Sequence, residues 1–142
     1  MQVISFSFSK IQAEKKKKLE GKIEIGSNIN IKSLSQEKLD IVKDKPVLKF
    51  EFEFSVNFKP DIAEILFNGT VLVLTEKDEA KNILKKWKTK IIPDEIRIPL
   101  FNLIMAKCNL KALEFEEELN LPNHIPLPKL KAEQEKNKSY TG

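Results

Sequence analysis

The chain is poor in the residues on which most protein chemistry depends. It has one cysteine, Cys108, one histidine, His124, one tryptophan, Trp87, and one tyrosine. A lone cysteine forbids an internal disulfide and fits a reducing compartment. Metal sites built from histidine and cysteine need several such ligands, and Cys108 and His124 are all the chain offers. Acid–base work by His124 would need a motif that holds a nucleophile or an orienting carboxylate beside it, and none is present. Between Asn123 and Ile125, in a proline-rich stretch, His124 reads as a surface or loop residue. There are only 4 glycines, and neither GxGxxG nor GxxxxGK(S/T) occurs, so no phosphate cradle is written into the chain. No cofactor or metal is expected, and the chain is not expected to be an enzyme. No apolar run approaches the ~20 residues of a membrane span. The opening MQVISFSF lacks the basic start and long apolar centre of a signal peptide, so the expected location is the cytoplasm.

What is abundant is amphipathic pattern. The 142 residues are 41% hydrophobic and 32% charged, which is a folded rather than a disordered balance. That length suits a single domain with a sizeable core, expected over residues 1–128, followed by a charged, flexible tail over 129–142. Lys and Arg number 25 against 21 acids, giving +4. The two signs are interspersed, so acidic partners are permitted and nucleic acid is not demanded.

The densest pattern is VLKFEFEFSVNF, Val47–Phe58. Leu48, Phe50, Phe52, Phe54, Val56 and Phe58 occupy every second position, with polar residues between them. Strands send alternate side chains to opposite faces, so this is one apolar and one wet face. Ile4, Phe6 and Phe8 alternate with serines in a first strand over about residues 2–11. Ile11 breaks the phase there, as at a bulge or a strand end. Leu19, Ile23, Ile25, Ile29 and Ile31 share odd positions in a second long strand, with a bend expected near Gly26-Ser27. Residues 33–45 lose the alternation and read as a connection with a short helical turn. Lys15–Lys18 reads as a solvated loop.

After the turn Lys59-Pro60-Asp61, residues 62–75 allow two readings. Asn68-Gly69 is a hairpin signal that would split them. The preferred reading is one long strand paired to the Phe-rich one, with Gly69 at a bulge or a close backbone approach. Thr75-Glu76-Lys77-Asp78 resembles a capping box. It opens a helix that carries Ala80, Ile83, Leu84 and Trp87 on one face, with Trp87 read as a packing residue. Pro93 ends or bends that segment. A second helix is expected from Pro99 to about Asn120, apolar over more than half its circumference. Cys108 falls inside that apolar stripe as a small buried residue, and Glu116–Glu118 reads as a solvated helix end. LPNHIPLP, Leu121–Pro128, is expected to run extended over the domain.

The pattern therefore predicts an α+β fold: a four-stranded antiparallel sheet of long strands with two C-terminal helices packed on one face. This order of elements resembles the SecB protein-export chaperone family. The residues that carry the likeness are SFSF (Ser5–Phe8), FEFEFSVNF (Phe50–Phe58), the helix PLFNLIMAKC (Pro99–Cys108) and the closing LPNHIPLP. The resemblance implies a homotetramer with helices between dimers, no ATP, and surface grooves that take up unfolded polypeptide, exported preproteins or antitoxins among them. SecB proteins are typically acidic and use that acidity to dock on the export motor. This chain is basic, and no docking residues are carried over.

On this reading Phe50, Phe52 and Phe54 form the floor of a client groove. Ile23, Ile25, Leu121, Ile125 and Leu127 line it where the helical layer runs out. Phe101, Met105, Cys108 and Ala112, a neighbouring stripe of the long helix, are the expected oligomer interface. Two other functions compete with a holdase for unfolded chains. One is a basic module for nucleic acid or an anionic surface, using Lys15–Lys18 and the lysines of residues 77–90. The other is a structural homo-oligomer with no client.

Overall fold

The structure is a computed structural model and describes residues 2–38 and 44–128. The expected tail over 129–142 and part of the connection expected over 33–45 lie outside the described residues. The architecture is α+β: β1 (Gln2–Lys15), β2 (Glu24–Glu37), β3 (Val47–Lys59), β4 (Ala63–Leu74), α1 (Lys77–Trp87) and α2 (Asp94–Glu118). The strands form one antiparallel sheet in the order β1-β4-β3-β2. Consecutive β1 and β2 thus occupy opposite edges. Residues 16–23 join them around the tip of the β3–β4 hairpin, where the Lys16 and Lys17 amides donate to the Ile62 carbonyl at 2.7 and 3.2 Å. Three strand spacings are roughly 14 Å, well within the reach of that segment.

The two central strands behave as their alternation predicts. Every core-facing residue of β3 and β4 is buried, from Leu48 to Phe58 and from Ala63 to Val73. Their hairpin closes through the cis Lys59–Pro60 bond and Asp61, which takes a positive φ of 50° that aspartate tolerates. Residues 63–74 are one strand, as preferred over the split reading. Gly69 sits between Phe8 and Phe52 in the ladder. A Cβ there would lie 2.5 Å from the Phe52 ring and 2.6 Å from the Ser7 carbonyl oxygen, so the position needs glycine for close approach.

The edge strands depart from the sequence reading. β1 continues to Lys15, and the phase break at Ile11 is a bulge: the register slips between Phe8 and Lys10 and returns Ile11 to the core-facing side. β2 begins later than expected, at Glu24, and runs on to Glu37 through residues read as a connection. It does not bend at Gly26, which pairs regularly with Asn57. Its irregularity lies between Ile31 and Ser33, which lets Leu34 follow Ile31 into the core.

The helices cover one face of the sheet, α1 over β2 and α2 over β4. No capping box forms at α1: its N-cap is Glu76 with no side-chain cap, and the buried Thr75 hydroxyl turns to the Pro46 carbonyl at 3.5 Å. α2 does not start at Pro99. It begins at Asp94 after Pro93, with Asp94 and Glu95 in the first turn where carboxylates favour the helix dipole. Pro99 lies inside the helix on its exposed side, where its missing N–H leaves one carbonyl without an intrahelical donor. The C-terminus of α2 carries no basic residue in its last turn. A lysine of the supposed solvated run does that work instead: Lys15, at the end of β1, donates from Nζ to the Leu119 carbonyl at 3.1 Å.

Candidate polypeptide-binding surface

Uneven helical cover is what creates a surface. α2 buries Ile96, Leu100, Ile104, Cys108, Ala112 and Glu116, one residue in every four. Such a row advances about 40° around a helix per step, so the buried side of α2 turns through about 200° along its length. The returning chain after Asn120 meets the end of this winding stripe at Glu116.

At the β2 edge this leaves a groove of about 430 Å³ between the strand, the end of α1 and the start of α2. Ile29 and Ile31 come from β2, Trp87 from α1, Ile92 from the connection and Phe101 from α2. All five are half-buried or nearly buried and pack on the core from one side. At the β1 edge, Phe6 and Phe8 stand edge to face, 5.2 Å between ring centroids, and Phe6 stacks on Phe52 at 5.4 Å. Both are half-buried, while Val3, Ile4 and Ile11 are 38%, 37% and 47% exposed. No residue of β1 is fully buried.

The α1–α2 connection at the groove is strained. The Lys90 amide donates to Trp87 at 2.8 Å and the Ile91 amide to Lys86 at 3.2 Å, the pattern of a Schellman cap. Lys90 takes its left-handed position at φ 61°. The same cap closes α2 with Asn120 at φ 53°. Asparagine suits that conformation, whereas for lysine it costs about 1–2 kcal/mol. The outcome is a Lys90 ammonium 4.5 Å from the centre of the Trp87 ring.

The predicted site residues divide. Ile23, just before β2, and Ile25, at its start, are half-buried and pack against the core. Phe50, Phe52 and Phe54 are core, with 0%, 1% and 2% exposure, and are out of reach of a client. Leu121 is buried, Ile125 half-buried and Leu127 exposed on the segment after α2. Of the expected oligomer face, Cys108 and Ala112 are fully buried within the chain and turn to its core. Burial pushes the Cys108 thiol up to about 12, which leaves it unreactive. Phe101 lines the groove at the β2 edge, and Met105 is exposed with Ile98 and Leu110 on the outer side of α2.

His124 is not a surface residue, and Glu116 is not solvated. Their side chains are 1% and 0% exposed. The Glu116 carboxylate receives the His124 backbone N–H at 3.1 Å on Oε1. The ring Nδ1 faces both carboxylate oxygens, 3.0 Å from Oε1 and 2.7 Å from Oε2, with only the first in hydrogen-bonding alignment. Nε2 lies 2.8 Å from Asn109 Oδ1, and the ring packs edge to face on Phe54. Among the described residues this cluster consists of Glu116, His124, Asn109 and Phe54. It pins the Leu121–Pro128 segment over the end of α2.

Sequence reasoning missed Ile29, Trp87, Ile92 and Phe101 as one site because four separate elements contribute them. Among the described residues no group of His, Cys, Asp and Glu could hold a metal, and no helix is long and apolar enough to cross a membrane.

No protein-family model matches the chain, and no curated protein matches it. Among solved structures, the chain is similar to a SecB-like chaperone of Mycobacterium tuberculosis, determined with a peptide from the HigA1 antitoxin. The likeness covers 92% of this chain and 90% of that one, at 13% identity and a TM-score of 0.48.

Proposed function

We propose that this protein is an ATP-independent holdase that binds extended apolar segments of non-native polypeptides along the edges of its sheet, without a catalytic step. The observation that carries this reading is the contrast in cover. The centre of the sheet is closed, while both edges keep apolar side chains half open beside strands that are paired on one side only. An apolar segment laid there leaves water at about 25 cal/mol per Å² buried. The edge backbone of β1 or β2 adds hydrogen bonds that do not depend on client sequence. Unfolded chains in a reducing cytoplasm, exported preproteins among them, are the clients this chemistry fits. Ile98, Met105 and Leu110 on the outer side of α2 favour assembly with further copies.

The nucleic-acid reading loses ground because two lysines of the Lys15–Lys18 run are engaged within the chain, Lys15 at the end of α2 and Lys16 with Asp61 at 3.2 Å. The test is light scattering from chemically denatured client proteins diluted into buffer without nucleotide. Delayed aggregation at stoichiometric amounts of this protein is expected. Undelayed aggregation of several unrelated clients removes the proposal.

A further inference from the structure

The groove at the β2 edge carries a charge that its apolar floor does not require. Its lining includes Lys32, Lys90 and Arg97 and no carboxylate. Lys32 is tied to Glu53 at 3.0 Å and Arg97 to its helix neighbour Asp94 at 2.9 Å. Lys90 makes no ion pair among the described residues and stands over Trp87 instead. It does so from a backbone position where glycine or asparagine would close the helix with less strain. Local strain of this kind gathers where a side chain is held for use. An exposed cation is thus fixed beside a slot floored by Ile29, Ile31 and Ile92.

We propose that this groove selects apolar polypeptide segments flanked by acidic residues. The apolar side chains enter between Ile31, Ile92 and Phe101, and a flanking carboxylate meets Lys90, the lining cation that no carboxylate among the described residues pairs. The proposal rests on the client-binding reading and adds to it the sign of the client's charge. The aliphatic floor and the adjacent open strand edge favour a peptide over a nucleic acid as occupant.

Three synthetic peptides test it, sharing one Leu/Phe/Val core and flanked by Glu, Gln or Lys. Trp87 is the only tryptophan, so its emission reports occupancy of this groove. At about 0.05 M salt the Glu-flanked peptide is expected to bind about tenfold tighter than the Gln-flanked one, and the gap narrows at about 0.5 M. Lys90→Gly and Lys90→Asn both suit the left-handed position. Either is expected to leave the melting temperature unchanged or raised and to cut the Glu-over-Gln preference several-fold. Lys81→Gln removes the same charge from an exposed site on α1 outside the groove lining and should leave the preference intact. Equal affinity for all three peptides overturns the charge selection while the client-binding reading stands. Failure of all three to bind overturns both. Displacement of the acidic peptide by an equal concentration of single-stranded oligonucleotide overturns the assignment of a peptide occupant.

Discussion

β3 and β1 carry the same alternation of phenylalanine with polar residues, yet they end in different environments. Phe50, Phe52 and Phe54 on β3 are sealed, whereas Phe6 and Phe8 on β1 are half open and Ile11 more so. The difference lies in position within the sheet. β3 and β4 are flanked by strands on both sides, while β1 and β2 are flanked on one side. Alternation dictates which face of a strand is apolar. Sheet order and helix placement dictate how much of that face stays available, and here they leave it available at the edges.

The sharpest test of that contrast is a pair of truncations. Phe54→Ala opens a cavity among Phe67, His124 and the core and should cost about 3–5 kcal/mol in urea denaturation. Phe8→Ala should cost only about 1–2 kcal/mol, because much of that ring is already in water. Equal losses would mean that β1 is as well covered in solution as β3.

The next largest effect concerns the segment that closes over the end of α2. His124→Ala leaves the Glu116 carboxylate buried without its ring partner and should cost about 3 kcal/mol. Replacing both residues, with Glu116→Met beside His124→Ala, should cost less than the single change, because no buried polar group is then left without its partner. A double variant at least as unstable as the single one would show that packing by the imidazole, and not its pairing, holds the segment down.

That cluster also marks the limit of what could be read from the residues. Period-two alternation located all four strands and the correct face of each central one. A bulge resets the phase, and of the three resets in the edge strands only the one before Ile11 shows in the alternation. Ile11 stands out of step with Phe8, as at a bulge or a strand end. Residues 33–45 lose the alternation and read as a connection, so Leu34 falls outside the strand the pattern predicts. Glu116 sits in a run of three glutamates that looks like a solvated helix end. It is buried because the chain reverses after Asn120, a non-local event with no local signature. The groove at the β2 edge is illegible for the same reason: Trp87 reads as a packing residue of one helix and Phe101 as part of an oligomer face on another. Pro99 misled because a proline near a helix start suits the first position, and here Pro93 and the acids after it set the start earlier.

A smaller effect on stability accompanies a larger one on function. Val3→Ser with Ile11→Ser removes exposed apolar surface from the β1 edge and should change the denaturation midpoint by no more than about 1 kcal/mol. The same variant should protect a denatured client less well in light scattering. Unchanged protection would shift client binding to the β2 edge alone.

The smallest effect asks what ties an edge strand to the centre besides its backbone ladder. On the face away from the helices, Ser33 of β2 donates its hydroxyl to Glu51 of β3 at 2.9 Å, and Lys49 lies 3.4 Å from both Glu37 of β2 and Glu51. The Ser33 hydroxyl first, then Lys49, hold the Glu51 carboxyl below its usual range, while Glu37 and then Glu51 raise Lys49. A carboxyl lowered by folding contributes stability that is complete above its unfolded pKa and vanishes as pH falls through the folded value. The raised Lys49 contributes below its unfolded pKa and loses that contribution only in strong base. Acidification through the carboxylate range should therefore lower the denaturation midpoint of the native chain slightly more than that of Glu51→Gln. These groups are exposed and the gap should shrink in high salt. Superimposable acid profiles would mean that β2 is held to β3 by the ladder and by the burial of Ile31 and Leu34 alone. The edge would then be free to exchange its outer-face partners as a client pairs along it.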